Sequence, residues 1–450
     1  MRFRFRNVGK NLLLTFFLAP ALVISTTHAS ETEPAGGSTQ ESLQSLQPIG
    51  IGGNPGAVNA TTGTAELEKY LLDLGGIKDD HGVRIGGLWI GNTNWLMSGG
   101  VEPGKVSWDS LFIADLLVDM EKLTGWWKGA LFGAEFLRFD GQQTNEQAGS
   151  IQGYNGLPGP EPLDRSELYQ LWIRQEFFDG KFIVRLGKSL PSADFGNVLR
   201  PVPLAEQKLL IPAVSGLLYT PVFKNPTLFG TMPSYYNSAC GVTLTFAPVK
   251  WWYLNYGFYD GNLATGVQTG TTGPHFNGYY FTIAETGFSW RLGTNHLPGK
   301  IGAGFWDQTG QLTGPNGISE NGTAGFYLFG SQRLWYRHPD EDSSGISTFF
   351  QFGTNDSETR PVNHYFGMGL TTFGLVPGRP KDSMGCGMSW AWLNPNIFQR
   401  TSELMFQAYY QAHLIGGMYF EPAITYIPTP GANPDLDAAW ATTVQVTILF

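Results

Sequence analysis

From Val83 to Phe450 polar and apolar residues alternate with a period of two, the spacing of strands that have one apolar and one wet face. The last segment shows it plainly: Trp440, Thr442, Val444, Val446, Ile448 and Phe450 share one face. Ala441, Thr443, Gln445 and Thr447 share the other, with Leu449 the exception. Over 403–414, Leu404, Phe406, Ala408, Tyr410, Ala412 and Leu414 oppose Glu403, Gln407, Tyr409, Gln411 and His413. Around 168–178, Tyr169, Leu171, Ile173 and Phe177 alternate with Gln170, Trp172, Arg174 and Glu176. Such segments begin near 83, 111, 129, 167, 181, 238, 253, 280, 300, 325, 345, 364, 382, 402, 418 and 439. That predicts about sixteen strands, an even number, as a closed antiparallel barrel with both ends on one side requires. Residues 141–165 and 188–237 are left over as long loops, and Asp179-Gly180 reads as a tight hairpin turn. Pro422, inside the fifteenth segment, predicts a bulge or kink there, because proline cannot donate to a ladder.

The pattern before residue 76 is different. Arg2, Arg4, Arg6 and Lys10 precede the apolar run Leu12–Ile24, and Thr27-His28-Ala29 offers a small-residue cleavage site. Residues 1–29 therefore read as a secretory signal, too short in its apolar part for the ~20 residues of a membrane helix. Residues 30–63 are rich in Gly, Ser, Thr, Gln and Pro and lack aromatics, Lys and Arg, which predicts a flexible leader. Leu67, Tyr70, Leu71 and Leu74 follow helical spacing, with Gly75-Gly76 as the stop. The expected organisation is a signal over 1–29, a leader and short amphipathic helix over 30–75, and one barrel over 76–450.

Composition changes the picture in one respect. Only 14% of the 450 residues are charged, 14% are aromatic, and Gly reaches 59. Mean hydropathy is −0.12, too polar for a bundle of membrane helices. Alternating strands with one face in lipid and one in water give such an average. A soluble β-sandwich or propeller gives the same strings with inside and outside exchanged. Aromatics at strand ends (Trp126-Trp127, Trp251-Trp252-Tyr253, Tyr279-Tyr280, Trp335-Tyr336, Tyr409-Tyr410, Phe450) favour membrane-interface girdles. The net charge of −9 falls to −13 once the signal's four cations are removed, and no basic block follows, so nucleic acid is not an expected partner.

Motifs of catalysis and metal binding are missing. The seven histidines stand singly, and there is no H-E-x-x-H. Gly302/Gly304, Gly367/Gly369 and Gly385/Gly387 lack the third glycine of a dinucleotide fingerprint. Gly187-Lys-Ser189 and Gly287-Phe-Ser289 do not complete G-x-S-x-G. Cys240 and Cys386 fall on the sixth and thirteenth segments, almost opposite in a sixteen-membered ring, so no disulfide is expected and both read as lipid-facing. The expectation is a non-enzyme without cofactor or metal.

Five blocks in order resemble the carbohydrate-selective outer-membrane porins, the OprB family. They are Leu123–Trp127; Glu167–Trp172 with Phe182–Lys188; Lys250–Asn262; Gly369–Asp382; and Glu403–Tyr410 followed by Glu421-Pro422 and Pro430–Pro434. The terminal Phe450 resembles the assembly signal of outer-membrane barrels, read by the barrel-assembly machinery. The resemblance, over about 76–450, implies a monomeric sixteen-stranded channel in the outer membrane of a Gram-negative bacterium, in contact with lipid and lipopolysaccharide. It implies passive diffusion of glucose-type sugars through a narrow zone lined by charges and aromatics. The chain departs from the family's pattern at Gln351, where many members carry a cation, and in its leader. A general or anion-selective porin is the other reading.

A neutral sugar offers hydroxyls and apolar C–H faces, so a selective pore wants Arg and carboxylates beside exposed rings. Strand parity nominates the lumen-facing candidates. Trp172 and Arg174 oppose Leu171 and Ile173; Arg185 opposes Val184 and Leu186; Glu135 sits between Phe132 and Phe136. Asp115 and Asp119 oppose Phe112, Ala114, Leu116 and Val118. Glu285 and Arg291 share a face, as do Glu403, Gln407 and Tyr409; Glu421 opposes Phe420; Gln351 joins them from the resemblance.

Overall fold

The computed structural model describes residues 82–450 apart from 158, 160–163, 197, 199–216, 234–236, 272, 340, 341 and 343. The signal, leader and short helix expected over 1–75 lie outside the described residues. Sixteen strands run in chain order: β1 Val83–Ser98, β2 Val106–Asp119, β3 Ala130–Asp140, β4 Arg165–Phe177, β5 Phe182–Ser189, β6 Ala239–Val249, β7 Trp252–Asp260 and β8 Tyr280–Leu292. Then come β9 Leu297–Thr313, β10 Ser319–Tyr336, β11 Gly345–Asn355, β12 Val362–Phe373, β13 Ser383–Leu393, β14 Ser402–Ile415, β15 Met418–Ile427 and β16 Ala439–Leu449. Each pairs antiparallel with its neighbours in sequence, and β16 pairs β1 to close the ring. Closure leaves no edge, which in lipid would be a row of unpaired backbone groups.

Side chains settle which face meets lipid. Leu171, Leu186, Leu254, Phe288, Phe305, Leu370, Phe406 and Ile424 are exposed on the outside, whereas Asp115, Glu135, Arg185, Glu285 and Gln351 are buried inside. A soluble sandwich would show the reverse. Exposed Trp95, Trp108 and Trp440 near one rim, and Trp126, Trp251 and Trp335 near the other, form the girdles. Among the described residues no helix is long and apolar enough to cross a membrane.

The two rims differ. On one, Lys250-Trp251 and Gly416-Gly417 join strands, and the turn after β4 places Phe178, Asp179 and Gly180 at φ of 55°, 55° and 76°. β1 begins on this rim and Phe450 ends on it, exchanging backbone hydrogen bonds with Gly87 (2.8 and 3.1 Å). The opposite rim carries the long connections 141–164, 190–238 and 261–279. Outer-membrane barrels put short turns in the periplasm and long loops outside.

The structure departs from simple alternation in β4. Glu135 pairs with Gln170, but Phe136 pairs with Leu168, so the strand bulges by one residue. Tyr169 therefore turns inward with Gln170, and Leu168 faces lipid, correcting the parity read for Tyr169. Strand starts differ most at β2 and β10, which begin at Val106 and Ser319. Pro422 marks no bulge. The β15–β16 register runs through it unbroken, while the pairing to β14 lapses between Tyr409↔Ala423 and Ala412↔Phe420. The missing N–H thus falls on the β14 side. Cys240 and Cys386 are free, on β6 and β13.

Candidate functional site: the barrel lumen

Two long loops fold into the barrel, and acceptors on the strands hold them. Glu403, near the loop end of β14, accepts from Ser150 Oγ (2.8 Å), Ile151 N (2.8 Å), Gln152 N (3.2 Å) and Gly431 N (2.7 Å). Asp109 on β2 accepts from Gln142 N (2.8 Å), Thr144 Oγ1 (2.8 Å), Asn155 Nδ2 (2.7 Å) and Asn94 Nδ2 (2.9 Å). Together they fasten the 141–164 loop to opposite sides of the β1 seam.

The described part of the 190–238 loop lies deeper. Leu218 N donates to Gln407 Oε1 of β14 (2.6 Å), and Gly156 N donates to Leu218 O (2.7 Å), so one loop rests on the other. Gln351 Nε2 donates to Val222 O (3.4 Å), Asn225 Nδ2 to Phe352 O (3.0 Å) and Asn355 Nδ2 to Thr227 O (2.7 Å), which ties the far part to β11. Arg360 Nη1 adds a bond to Gly230 O (3.2 Å). Its apolar residues Phe195, Leu217, Val222, Leu228 and Met232 pack in one buried cluster with inward aromatics of the wall. The described segment 217–230 thus runs along the inner wall from β14 to β11.

Beside it, β1–β5 carry a charged belt. Arg84 pairs with Asp115 (3.2 Å), Gln170 Nε2 donates to Glu135 (2.5 Å) and Arg174 pairs with Glu176 (2.8 Å). Arg185 pairs with Asp194 of the inward loop, and its guanidinium lies 5.7 Å from the Trp172 ring. Register places Asp115, Glu135 and Gln170 at one level and Arg174 opposite Arg185. Trp172 Nε1, Gln170 Oε1, Tyr419 OH and Glu421 Oε1 are buried polar atoms without a hydrogen-bond partner among the described residues.

The residues nominated from sequence therefore divide. Glu135, Asp115, Trp172 and Arg185 come together in the belt, and Arg174 lies opposite Arg185 nearer the β4–β5 turn, paired with Glu176. Glu421 lies beside Gln411, whose Nε2 donates to it, and Tyr409 is buried on β14 between Gln407 and Gln411. Asp119 instead caps the helix Met120–Thr124, accepting from Glu121 N (3.0 Å) and Lys122 N (3.1 Å) at the periplasmic rim. Arg291 is exposed beside the turn after β8, six positions or about 20 Å along the strand from Glu285, so the two do not meet. Glu403 and Gln351 hold loops.

Parity applied to β1, β7, β9 and β10 would also have found Arg84, Tyr253, Lys300, Tyr327 and Arg333. Lys300 Nζ lies 5.8 Å from the Phe329 ring, and Arg333 stacks on Tyr336 (4.6 Å) while donating to Ser347 Oγ (3.0 Å). Asp194 left no such signal, since it lies in a loop. Among the described residues no group of three His, Cys, Asp or Glu side chains could hold a metal ion.

Comparison with known proteins places this architecture. The family model described as carbohydrate-selective porin, OprB family, matches residues 112–450. Porin B of Pseudomonas aeruginosa is 23% identical over 468 residues, covering 93% of this chain and 99% of that one. A high-pH structure of OprB from Pseudomonas putida superposes with a TM-score of 0.70 at 19% identity, over 86% of this chain and 97% of the other. Its low-pH counterpart gives 0.54 at 16% identity over the same shares.

Proposed function

We propose that this chain, which belongs to the carbohydrate-selective porin (OprB) family, discriminates among sugars at the belt of β1–β5 facing the inward 190–238 loop. It is an outer-membrane channel through which carbohydrates diffuse passively. The belt's composition carries the finer reading: alternating Arg and carboxylate groups beside the Trp172 ring, with unsatisfied polar atoms between them. Paired charges leave little net field to draw an ion, yet offer donors and acceptors at the spacing of sugar hydroxyls. A ring supplies a flat surface for a C–H face at small entropic cost.

In this reading Arg174 and Arg185 donate to hydroxyls, Glu135 and Asp115 accept, and Trp172 stacks. Tyr409 and Glu421 offer further polar contacts across the lumen. Binding stays weak so that flux persists; millimolar affinity is about −4 kcal/mol. The solutes are glucose-type monosaccharides, and the protein does no chemistry of its own. It works as a monomer among outer-membrane lipid and lipopolysaccharide, after export by residues 1–29 and assembly through Phe450. Residues 30–75 are read as a polar leader with a short amphipathic helix, preceding the barrel domain of 76–450.

Sugar-resolved swelling of proteoliposomes tests the belt. Arg174→Ala is expected to change the ratio of glucose to larger-sugar uptake by about threefold or more, since one charged hydrogen bond is at stake. Identical uptake profiles would remove Arg174 from the selective zone. If glucose at tens of millimolar leaves the single-channel ion current unchanged, the pore is a general one.

A further inference from the structure

Three inward-facing rings on β7 and β10 lie directly across the ladder from glycines: Tyr253 from Gly287, Phe329 from Gly302 and Tyr327 from Gly304. A Cβ built on any of these glycines would lie only 2.1–2.4 Å from an atom of the facing ring. The rings are thus laid flat on the wall, over positions where a side chain would make them stand into the lumen. Gly304 has a second neighbour in register, Glu285 on β8. Tyr327 crosses Gly304 and donates its hydroxyl to Glu285 Oε2 (2.7 Å), two strands away. Tyr253 reaches the same carboxylate from the other side, donating to Oε1 (2.6 Å).

The third donor is not on the wall. Gly196 of the inward loop, at φ 64°, donates its N–H to Glu285 Oε2 (2.5 Å). The preceding residue, Phe195, is buried in the cluster that includes Tyr327, Phe329, Phe281 and Ile283. Glu285 is itself 3% exposed, covered by this seat. A carboxylate holding two phenols and a loop amide has little left to offer a passing solute.

We propose that Glu285 is a positioning residue that tethers the constricting 190–238 loop to the barrel wall, and that Gly304 and Gly287 are the openings through which Tyr327 and Tyr253 orient it. The tether sets the bore by holding the loop where it is. The proposal rests on that loop narrowing a sugar channel, but the tether can be read without any sugar. Lys224 in this loop is buried and followed by Asn225, so tryptic cleavage there in the folded, detergent-solubilised full-length porin reports how often the loop leaves the wall.

Glu285→Ala is expected to speed cleavage after Lys224 about tenfold or more, the factor a lost charged hydrogen bond brings to an opening equilibrium. Glu285→Gln loses the charge but keeps an acceptor for the loop amide and a partner for the hydroxyls, so its cleavage is expected to fall between wild type and Glu285→Ala, about threefold faster than wild type. Gly304→Ala, which displaces Tyr327, should follow Glu285→Ala. Heat-modifiable migration shows which variants fold. If Glu285→Ala does not, Tyr327→Phe deletes one hydroxyl alone and is expected to speed cleavage about threefold. Cleavage at the wild-type rate in folded Glu285→Ala, or in folded Tyr327→Phe, overturns the tether. So does an equal acceleration in Glu285→Gln and Glu285→Ala, which would assign the effect to charge. Loss of sugar selectivity in the swelling assay with an intact tether would count against the channel reading alone.

Discussion

At the scale of single residues, parity sorted side chains onto two faces but did not say what each inward side chain meets. Glu403 and Arg174 share the same face pattern, yet one is closed over by four donors and the other lies in the charged belt. The difference comes from residues 150–152 and 431, remote in sequence and brought in by loop folding. Glu403→Ala therefore leaves three backbone amides and a hydroxyl without an acceptor in a buried place. It should lower the free energy of unfolding by about 2–4 kcal/mol, measured by denaturant titration of heat-modifiable migration, with Glu403→Gln recovering part of the loss. Asp119 teaches the same at the periplasmic rim: an acid one residue before a helix is a cap first.

At the scale of elements, hydrophobic period is a sound guide until a strand bulges or a loop turns inward. In β4 one extra residue sends Tyr169 and Gln170 to the same side, a shift that polar and apolar letters cannot announce. The inward loop is the larger surprise, because its apolar residues have no period. Lys224 lies within it, donating to Met232 O (2.7 Å) with its ammonium 5.9 Å from the Phe229 ring. Burial pushes its amine down to about 7, from an ordinary value of 10.5. Between these values the unfolded chain holds a proton that the folded one lacks, so the seated loop gains stability as pH rises from about 7 to 10. Below 7 the amine is charged in both states and the gain is absent. Amide exchange over 217–233, corrected for intrinsic rate, should show protection increasing from pH 6.5 to 9. Lys224→Met should abolish the slope.

At the scale of the whole molecule, the last residue extends the ladder that closes the ring. Phe450 exchanges two backbone hydrogen bonds with Gly87, and its ring stacks on Phe112 at 5.8 Å, where a side chain at 87 would collide with it. The ring seals the β1–β16 seam in the finished barrel, apart from any part in assembly. Phe450→Ala keeps the backbone pair and loses the ring, which should destabilise the folded barrel by about 1–2 kcal/mol. Refolding into lipid vesicles, followed by heat-modifiable migration, measures this without any assembly factor. Wild-type stability there would confine the role of Phe450 to assembly.

The strand number, the lipid-facing side and the excess of glycine and aromatics were all legible in the chain, because a barrel wall repeats one local rule at every strand. Period two is local, and lipid enforces it across hundreds of residues. What tertiary structure alone decided is how the lumen is furnished: which loop enters, which acids hold it, and which charges stay in the belt. Those choices depend on contacts such as Glu403 with Ile151 and Glu285 with Gly196, between residues whose separation along the chain carries no pattern. Even the glycines took their meaning there. In sequence Gly302 and Gly304 are gaps in an alternation; in the ring each is the space that an aromatic side chain from the next strand fills.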